Sequence, residues 1–138
     1  MRLYGIAGLL LLFSSPAGVA LAEPAGAADN WTHHAGGTDE SGFSRLTQIN
    51  SQNVDKLGLA WSLVLDNEVT LEATPLAVDG VLYFTGSSGS VYAVEAVSGS
   101  LVWKHDPKIW SYSPTKQRSN FGVNRGVAFA QGRVFAGV

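Results

Sequence analysis

The chain has 138 residues, of which 46% are hydrophobic and 14% charged, a balance that excludes a disordered or fibrous protein. Its formal net charge of −2 leaves no basic surface of the kind that binds nucleic acid, so no nucleic-acid partner is expected. The absence of cysteine excludes disulfides and thiolate metal sites.

Residues 1–22 have the features of a cleavable export signal. Arg2 supplies the charged start, Ile6–Phe13 the apolar stretch, and Ala20-Leu21-Ala22 the small-residue cleavage site. The apolar stretch is far shorter than the roughly 20 residues that a spanning helix requires, so no membrane span is expected after cleavage. We therefore predict an exported, periplasmic protein.

Residues 23–29 form a lead-in of small residues that we expect to be flexible, and the folded domain is expected over residues 30–138. His33 and His34 invite a metal-site interpretation. Adjacent side chains on a strand point to opposite faces, so a solvated pair is the favoured interpretation and no metal is assigned to them. Phe43–Val54 has no helical or strand period and is predicted to be a loop.

The stretch from Thr70 to Lys104 predicts four short antiparallel strands joined by tight turns. Asp79-Gly80 is a hairpin dipeptide between two apolar runs. The second and third turns are predicted at Gly86–Gly89 and at Ser98-Gly99, because glycine and serine favour tight turns. A single four-stranded sheet leaves both faces exposed to solvent, so this sheet is expected to pack against neighbours.

The neighbours are predicted by internal repetition. Leu57–Leu63 resembles the run that ends at Trp103, and the two tryptophans, Trp61 and Trp103, are 42 residues apart. That period is typical of four-stranded propeller blades, each of which packs on the next. Val123–Val138 resembles the first hairpin of the meander. The sequence thus predicts an all-β propeller of which about one and a half blades are present, and hence an incomplete chain.

Four ordered motifs carry a family resemblance. An opening tryptophan and a serine-arginine-leucine element lead to Gln48-Ile49-Asn50, Asn53-Val54, Leu57 and Trp61; LEATPLAVDGVLYFTG, VYAVEAVSGSLVWKHD and GVNRGVA follow. Together they resemble the amino-terminal part of quinoprotein alcohol dehydrogenases. The resemblance implies an eight-bladed propeller with tryptophan-docking motifs, which holds pyrroloquinoline quinone (PQQ) and calcium on its axis.

Two residues match cofactor-site positions of that family. Glu72, in the motif Leu71–Pro75, matches a glutamate that contacts the quinone, at the end of an innermost strand. Arg125, in GVNRGVA, matches an arginine beside the cofactor, where a guanidinium stabilises negative charge that develops on quinone oxygens. Without the motifs, a solvent-exposed side chain would be the default interpretation of both residues. Asn124 is interpreted as a turn residue whose side chain supports Arg125.

The chain departs from the family pattern at one place. Relatives close to methanol and ethanol dehydrogenases carry two adjacent cysteines shortly before this arginine, whereas Ser119 and Asn120 stand here. A disulfide cannot form at these positions, which puts that subgroup and its substrate preference in doubt.

The resemblance implies oxidation of an alcohol, with electrons passed to a cytochrome c-type acceptor. It places the catalytic aspartate and the calcium ligands beyond Val138, so no catalytic or metal-binding residue is expected within this chain. Two alternatives stay open. One is a non-catalytic periplasmic propeller that acts as a scaffold or assembly factor. The other is a membrane-bound quinoprotein sugar dehydrogenase, which would require several spanning helices before the propeller.

Overall fold

A computed structural model describes residues 30–113 and 122–137. The predicted signal peptide and lead-in, and positions Ser119 and Asn120, lie outside the described residues. The predicted meander is confirmed as one antiparallel sheet in which the strands lie side by side in chain order. Its strands are β1 (Leu76–Val78), β2 (Val81–Thr85), β3 (Val91–Glu95) and β4 (Leu101–His105).

The three predicted turns connect these strands. At the first turn both central residues, Asp79 and Gly80, have positive φ of 49° and 79°. This is the conformation that matches the twist of a two-residue hairpin. The second turn is a short 3-10 turn over Ser87–Gly89, and the third includes Gly99. Trp31 extends the open edge of β1, since it exchanges two backbone hydrogen bonds with Ala77, of 2.7 and 3.0 Å.

The centre of the sheet is strand β3, which is buried on both faces. Tyr92 is 2% exposed, and Ala93 and Val94 are fully buried. A central strand that is buried on both faces has a continuous apolar sequence, as Val91–Val94 does. The core of the described region therefore lies around β3.

A second antiparallel hairpin covers one face of the sheet. Its strands are β5 (Val127–Ala130) and β6 (Arg133–Ala136), which confirms the predicted copy of the first hairpin. Phe129 packs against Tyr83 with ring centroids 5.6 Å apart, and Tyr83 in turn lies 6.1 Å from Trp103. Aromatic pairs at these separations contribute packing energy beyond their buried area.

The opposite face is covered by the segment that contains Trp61. The Trp61 indole N–H donates to the Ala96 carbonyl oxygen at 2.9 Å. The indole ring lies over Gly99, where a Cβ atom would be 2.4 Å from Trp61 Cδ2 and φ is +72°. Both the space and the backbone conformation at position 99 require glycine.

The resemblance between Leu57–Leu63 and β4 does not extend to secondary structure. Residues 57–65 are not part of a strand, although Trp61, Leu63 and Leu65 are half-buried and alternate with exposed residues. This alternation is that of a strand. A strand also needs a hydrogen-bonded neighbour, and in the described part of the chain these residues have none.

The remaining described residues form loops and single turns. Residues 41–53 contain neither helix nor strand, which confirms the predicted loop, and a 3-10 turn follows over Val54–Lys56. A one-turn helix that the sequence did not predict, α1, spans Ile109–Tyr112. Within residues 30–113 and 122–137, no helix has the length and apolar character needed to traverse a bilayer.

Candidate functional site

The fold brings together the two residues that the sequence motifs single out. Arg125 Nη1 lies 3.9 Å from Glu72 Oε2. The side chain of Arg125 is 83% exposed and that of Glu72 is 41% exposed. An ion pair with this exposure contributes little to stability, since solvent screens it. The pair therefore presents a cation and a carboxylate side by side at the surface of the described region.

Glu72 was expected at the end of an innermost strand, and this expectation is wrong for the chain as described. Residues 71–75 are irregular, and β1 begins only at Leu76. Pro75 explains the boundary, because it lacks the N–H that a sheet ladder requires and fits best just outside a strand. Glu72 thus lies on a connecting segment, and its position depends on what holds that segment.

The hydroxyl of Ser87 holds the segment that leads to Glu72. Ser87 Oγ accepts hydrogen bonds from the backbone N–H groups of Val69 and Thr70, at 2.8 and 3.0 Å. The same hydroxyl donates to the Thr70 carbonyl oxygen at 3.1 Å. One buried side chain in the turn after β2 therefore satisfies three backbone groups of an otherwise irregular segment.

Glu68 holds the same segment and was missed by sequence reasoning. Its side chain is 6% exposed and accepts hydrogen bonds from the Ser87 backbone N–H and the Tyr92 hydroxyl. Lys104 Nζ lies 3.7 Å from Glu68 Oε1 and 4.9 Å from the centroid of the Tyr92 ring. We call Glu68, Ser87, Tyr92 and Lys104 the Glu68 network.

The Glu68 network perturbs the titration of two of its members. Burial, reinforced by the hydrogen bond to Glu68, raises the pKa of the Tyr92 hydroxyl. The interaction with the Tyr92 hydroxyl raises the pKa of the Lys104 ammonium. Both shifts favour the protonated groups that the network needs as donors. No local motif surrounds Glu68, and its partners lie 19 to 36 positions further along the chain, so only the fold reveals the network.

Asn124 holds the segment that carries Arg125. Its Oδ1 atom accepts from Thr85 Oγ1 at 3.0 Å and from the Gly126 backbone N–H at 3.1 Å. Its Nδ2 atom donates to the Gly137 carbonyl oxygen at 2.5 Å. The predicted role of Asn124 as a turn residue next to Arg125 agrees with these contacts, whereas the contribution of Thr85 was not predicted.

Histidine and carboxylate side chains do not form a metal site in the described part of the chain. No group of three or more such residues lies close enough there to hold an ion. His33 and His34 are both exposed, and Thr32 Oγ1 lies 2.9 Å from His33 Nδ1. The calcium that the family resemblance implies stays a prediction.

Comparison with known proteins decides the family. The model of the PQQ family, "Glucose/ethanol/alcohol dehydrogenase, beta-propeller domain", matches residues 31–135. The chain belongs to this family. The family resemblance and the propeller fold class inferred from the sequence motifs are thereby confirmed.

Individual PQQ-family relatives agree with this assignment. The chain is 45% identical over 109 residues to quinohemoprotein alcohol dehydrogenase ADH-IIG of Pseudomonas putida, covering 79% of the chain and 15% of that protein. It is 40% identical over 116 residues to 1-butanol dehydrogenase (cytochrome c) of Thauera butanivorans, covering 80% and 16%. The crystal structure of quinohemoprotein alcohol dehydrogenase from Comamonas testosteroni matches with a TM-score of 0.71 and 38% identity, covering 81% and 17%. The chain thus spans about one sixth of the length of these relatives.

Proposed function

We propose that the protein oxidises an alcohol with PQQ as cofactor and that Glu72 and Arg125 form part of the quinone site. The observation that carries the proposal is their ion pair, because two motifs far apart in the sequence meet at one exposed point. Membership of the PQQ family and 45% identity to a quinohemoprotein alcohol dehydrogenase support it.

The chemistry of the pair fits a quinone that carries carboxylate groups. The Arg125 guanidinium is largely exposed and offers a planar set of N–H donors that suits carboxylate or quinone oxygens. The Glu72 carboxylate accepts hydrogen bonds and, at 3.9 Å, orients the guanidinium. An arginine that is weakly bound to its own protein can exchange that contact for a ligand at small cost.

The two residues have different roles in the proposed mechanism. Arg125 would bind the cofactor and would place positive charge near a quinone oxygen that becomes negative on reduction. Glu72 would hold Arg125 in the productive orientation and would accept a hydrogen bond from the cofactor. When bound, PQQ would supply the two-electron acceptor for the alcohol, and calcium, for which the described residues offer no ligand group, would supply a Lewis acid.

The wider setting belongs to the same proposal. Residues 1–22 are removed on export to the periplasm, residues 23–29 are a lead-in, and residues 30–138 are the amino-terminal part of the propeller domain. Electrons then pass to a cytochrome c-type acceptor. The 1-butanol dehydrogenase (cytochrome c), 40% identical to this chain, supports that acceptor.

The test is the substitution of Arg125 in the full-length protein. Arg125→Ala should weaken PQQ binding and lower turnover about a hundred- to a thousandfold, because one charge-assisted donor to the developing oxyanion is lost. Arg125→Lys should recover only part of the activity, since lysine keeps the charge but not the planar fork. PQQ affinity is measured by equilibrium dialysis, and turnover with calcium and an artificial dye acceptor.

The assay also separates this function from its alternatives. Primary and secondary alcohols are compared with aldoses as substrates. A preference for aldoses would mean that the substrate is a sugar and not a simple alcohol. Two variants serve as controls. Arg125→Asn removes the charge but keeps a side chain with N–H donors, and Arg133→Ala removes an arginine outside the proposed site. Wild-type PQQ affinity and turnover in Arg125→Ala would contradict the quinone-site assignment, and failure of the wild-type protein to bind PQQ would favour a non-catalytic scaffold.

A further inference from the structure

We propose that the corner after β2, residues Thr85–Ser88, positions Glu72 and Arg125 together through two buried hydroxyl groups. The inference rests on the proposed quinone site and extends it to residues that do not contact the cofactor. Thr85 and Ser87 are 1% and 8% exposed. We call Thr85–Ser88 the β2 corner.

The first hydroxyl acts toward Arg125. Thr85 Oγ1 donates to Asn124 Oδ1 at 3.0 Å and lies 3.3 Å from the Asn124 carbonyl oxygen. Because Asn124 Oδ1 also accepts from the Gly126 N–H, the residues on both sides of Arg125 are fixed by one amide. Thr85 is the buried last residue of β2, so this contact anchors the Arg125 backbone to the sheet.

The second hydroxyl acts toward Glu72. Ser87 Oγ binds the N–H groups of Val69 and Thr70 and the carbonyl oxygen of Thr70. Thr70 lies two positions before Glu72 on a segment without secondary structure, so these hydrogen bonds help to set the position of the Glu72 carboxylate. The Ser88 backbone N–H completes the corner by donating to the Gly122 carbonyl oxygen at 2.6 Å.

The β2 corner is therefore the common support of both members of the pair. One turn is bonded to the segment before Glu72 and to the segment around Arg125, and a shift of the turn would change both positions. Positioning of this kind acts on ligand affinity, since binding groups must be held within about 0.5 Å of their productive geometry. Thr85 and Ser87 are positioning residues, and each acts through the residue that it supports.

The experiment is a pair of double-mutant cycles in the full-length protein, with the dissociation constant of PQQ as the readout. Thr85→Val keeps the side-chain shape and removes the donor. It should weaken PQQ binding about 3- to 10-fold, the equivalent of one hydrogen bond. Thr85→Ser should restore most of the affinity, because it restores the hydroxyl.

The cycle distinguishes positioning from a general loss of stability. In an Arg125→Ala background, Thr85→Val should have no further effect on PQQ affinity, because the residue through which it acts is gone. Ser87→Ala gives the second cycle in the same way, with Glu72→Gln as the background. Ser98→Ala is the matched control, since Ser98 is a turn serine that bonds Ser100 in the turn after β3 and contacts neither segment.

Three results would overturn the inference, and they differ in whether they also contradict the proposed function. If Thr85→Val and Ser87→Ala bind PQQ with wild-type affinity while Arg125→Ala binds it more weakly, the β2 corner has no positioning role. The proposed function would then stand. Additive effects in both cycles would show that the substitutions act through general destabilisation and not through positioning. Wild-type affinity in Arg125→Ala would remove the quinone site and this inference with it. If Thr85→Val does not fold, the Ser87 cycle decides.

Discussion

Glu68 and Glu72 lie on the same irregular segment and in opposite environments. The side chain of Glu68 is 6% exposed, accepts two hydrogen bonds and lies beside Lys104. That of Glu72 is 41% exposed and faces Arg125 at 3.9 Å. The first carboxylate is committed to the fold, whereas the second retains capacity for a ligand. The residue that stabilises this segment and the residue proposed to bind the cofactor are therefore separate, although they are only four positions apart.

The largest effect is expected from removing the buried carboxylate. Glu68→Ala should lower the free energy of unfolding of the full-length protein by about 3 kcal/mol, because the Tyr92 hydroxyl and the Ser87 N–H are left buried without an acceptor. Chemical denaturation measures the loss. Glu68→Gln is the control, since its amide oxygen keeps one acceptor and should reduce the loss. Wild-type stability in Glu68→Ala would remove the contrast between the two glutamates.

The second largest effect is expected from alkaline pH, which should weaken the Glu68 network. The pKa values of Tyr92 and Lys104 are raised in the folded protein, so the folded state binds these protons more tightly than the unfolded state. Their contribution is complete below about pH 10, the ordinary pKa range of tyrosine, and is lost as pH rises through the raised values. Thermal melts between pH 8 and 11 test this, with Tyr92→Phe as the control that should lose part of the dependence. An unchanged dependence in that variant would contradict it.

Deleting one hydroxyl of the Glu68 network should have a smaller effect. Tyr92→Phe keeps the ring that stacks on Phe84 at 5.3 Å and removes the donor to Glu68. We expect a loss of about 1 kcal/mol in the free energy of unfolding at neutral pH, the usual contribution of one hydrogen bond. Tyr112→Phe is a matched control, because Tyr112 is 83% exposed and should lose nothing measurable. Equal effects of the two substitutions would show that the Tyr92 hydroxyl does not stabilise the network.

The smallest effect on stability is expected at Glu72. Glu72→Gln should change the free energy of unfolding by no more than about 0.5 kcal/mol, because an exposed ion pair contributes little. PQQ affinity, measured on the same preparation, should fall by more than stability accounts for. A loss of stability as large as that of Glu68→Ala, with unchanged PQQ affinity, would assign both glutamates to the fold.

The sheet and its turns could be predicted from the sequence because their determinants are local. Asp79-Gly80 and Gln131-Gly132 each supply two positive φ values between apolar runs, and both hairpins form where these dipeptides occur. The expected strand end at Glu72 was wrong, since Pro75 limits the ladder and β1 begins only at Leu76. Residues 57–65 show the same limit, because a strand depends on a neighbour that its own pattern does not specify.

The candidate site could be predicted only in part. Glu72 and Arg125 were found through motif resemblance, and neither side chain is distinguished by periodicity or composition. Glu68 and Ser87 lie outside the quoted motifs, and Thr85 lies inside LEATPLAVDGVLYFTG without having been singled out there. Their importance arises from burial and from partners distant in sequence, which a single sequence does not encode as a local pattern.

The strands of the four-stranded sheet pair in the order in which they occur in the chain. Pairing between successive strands closes only short loops, so it is fast and entropically inexpensive. Residues up to His105 contain all four strands of this sheet, so its pairings require no residue from 122–137. The contact between Glu72 and Arg125 joins positions 53 apart and closes a longer loop than any pairing within the sheet, so its formation carries the larger entropic cost.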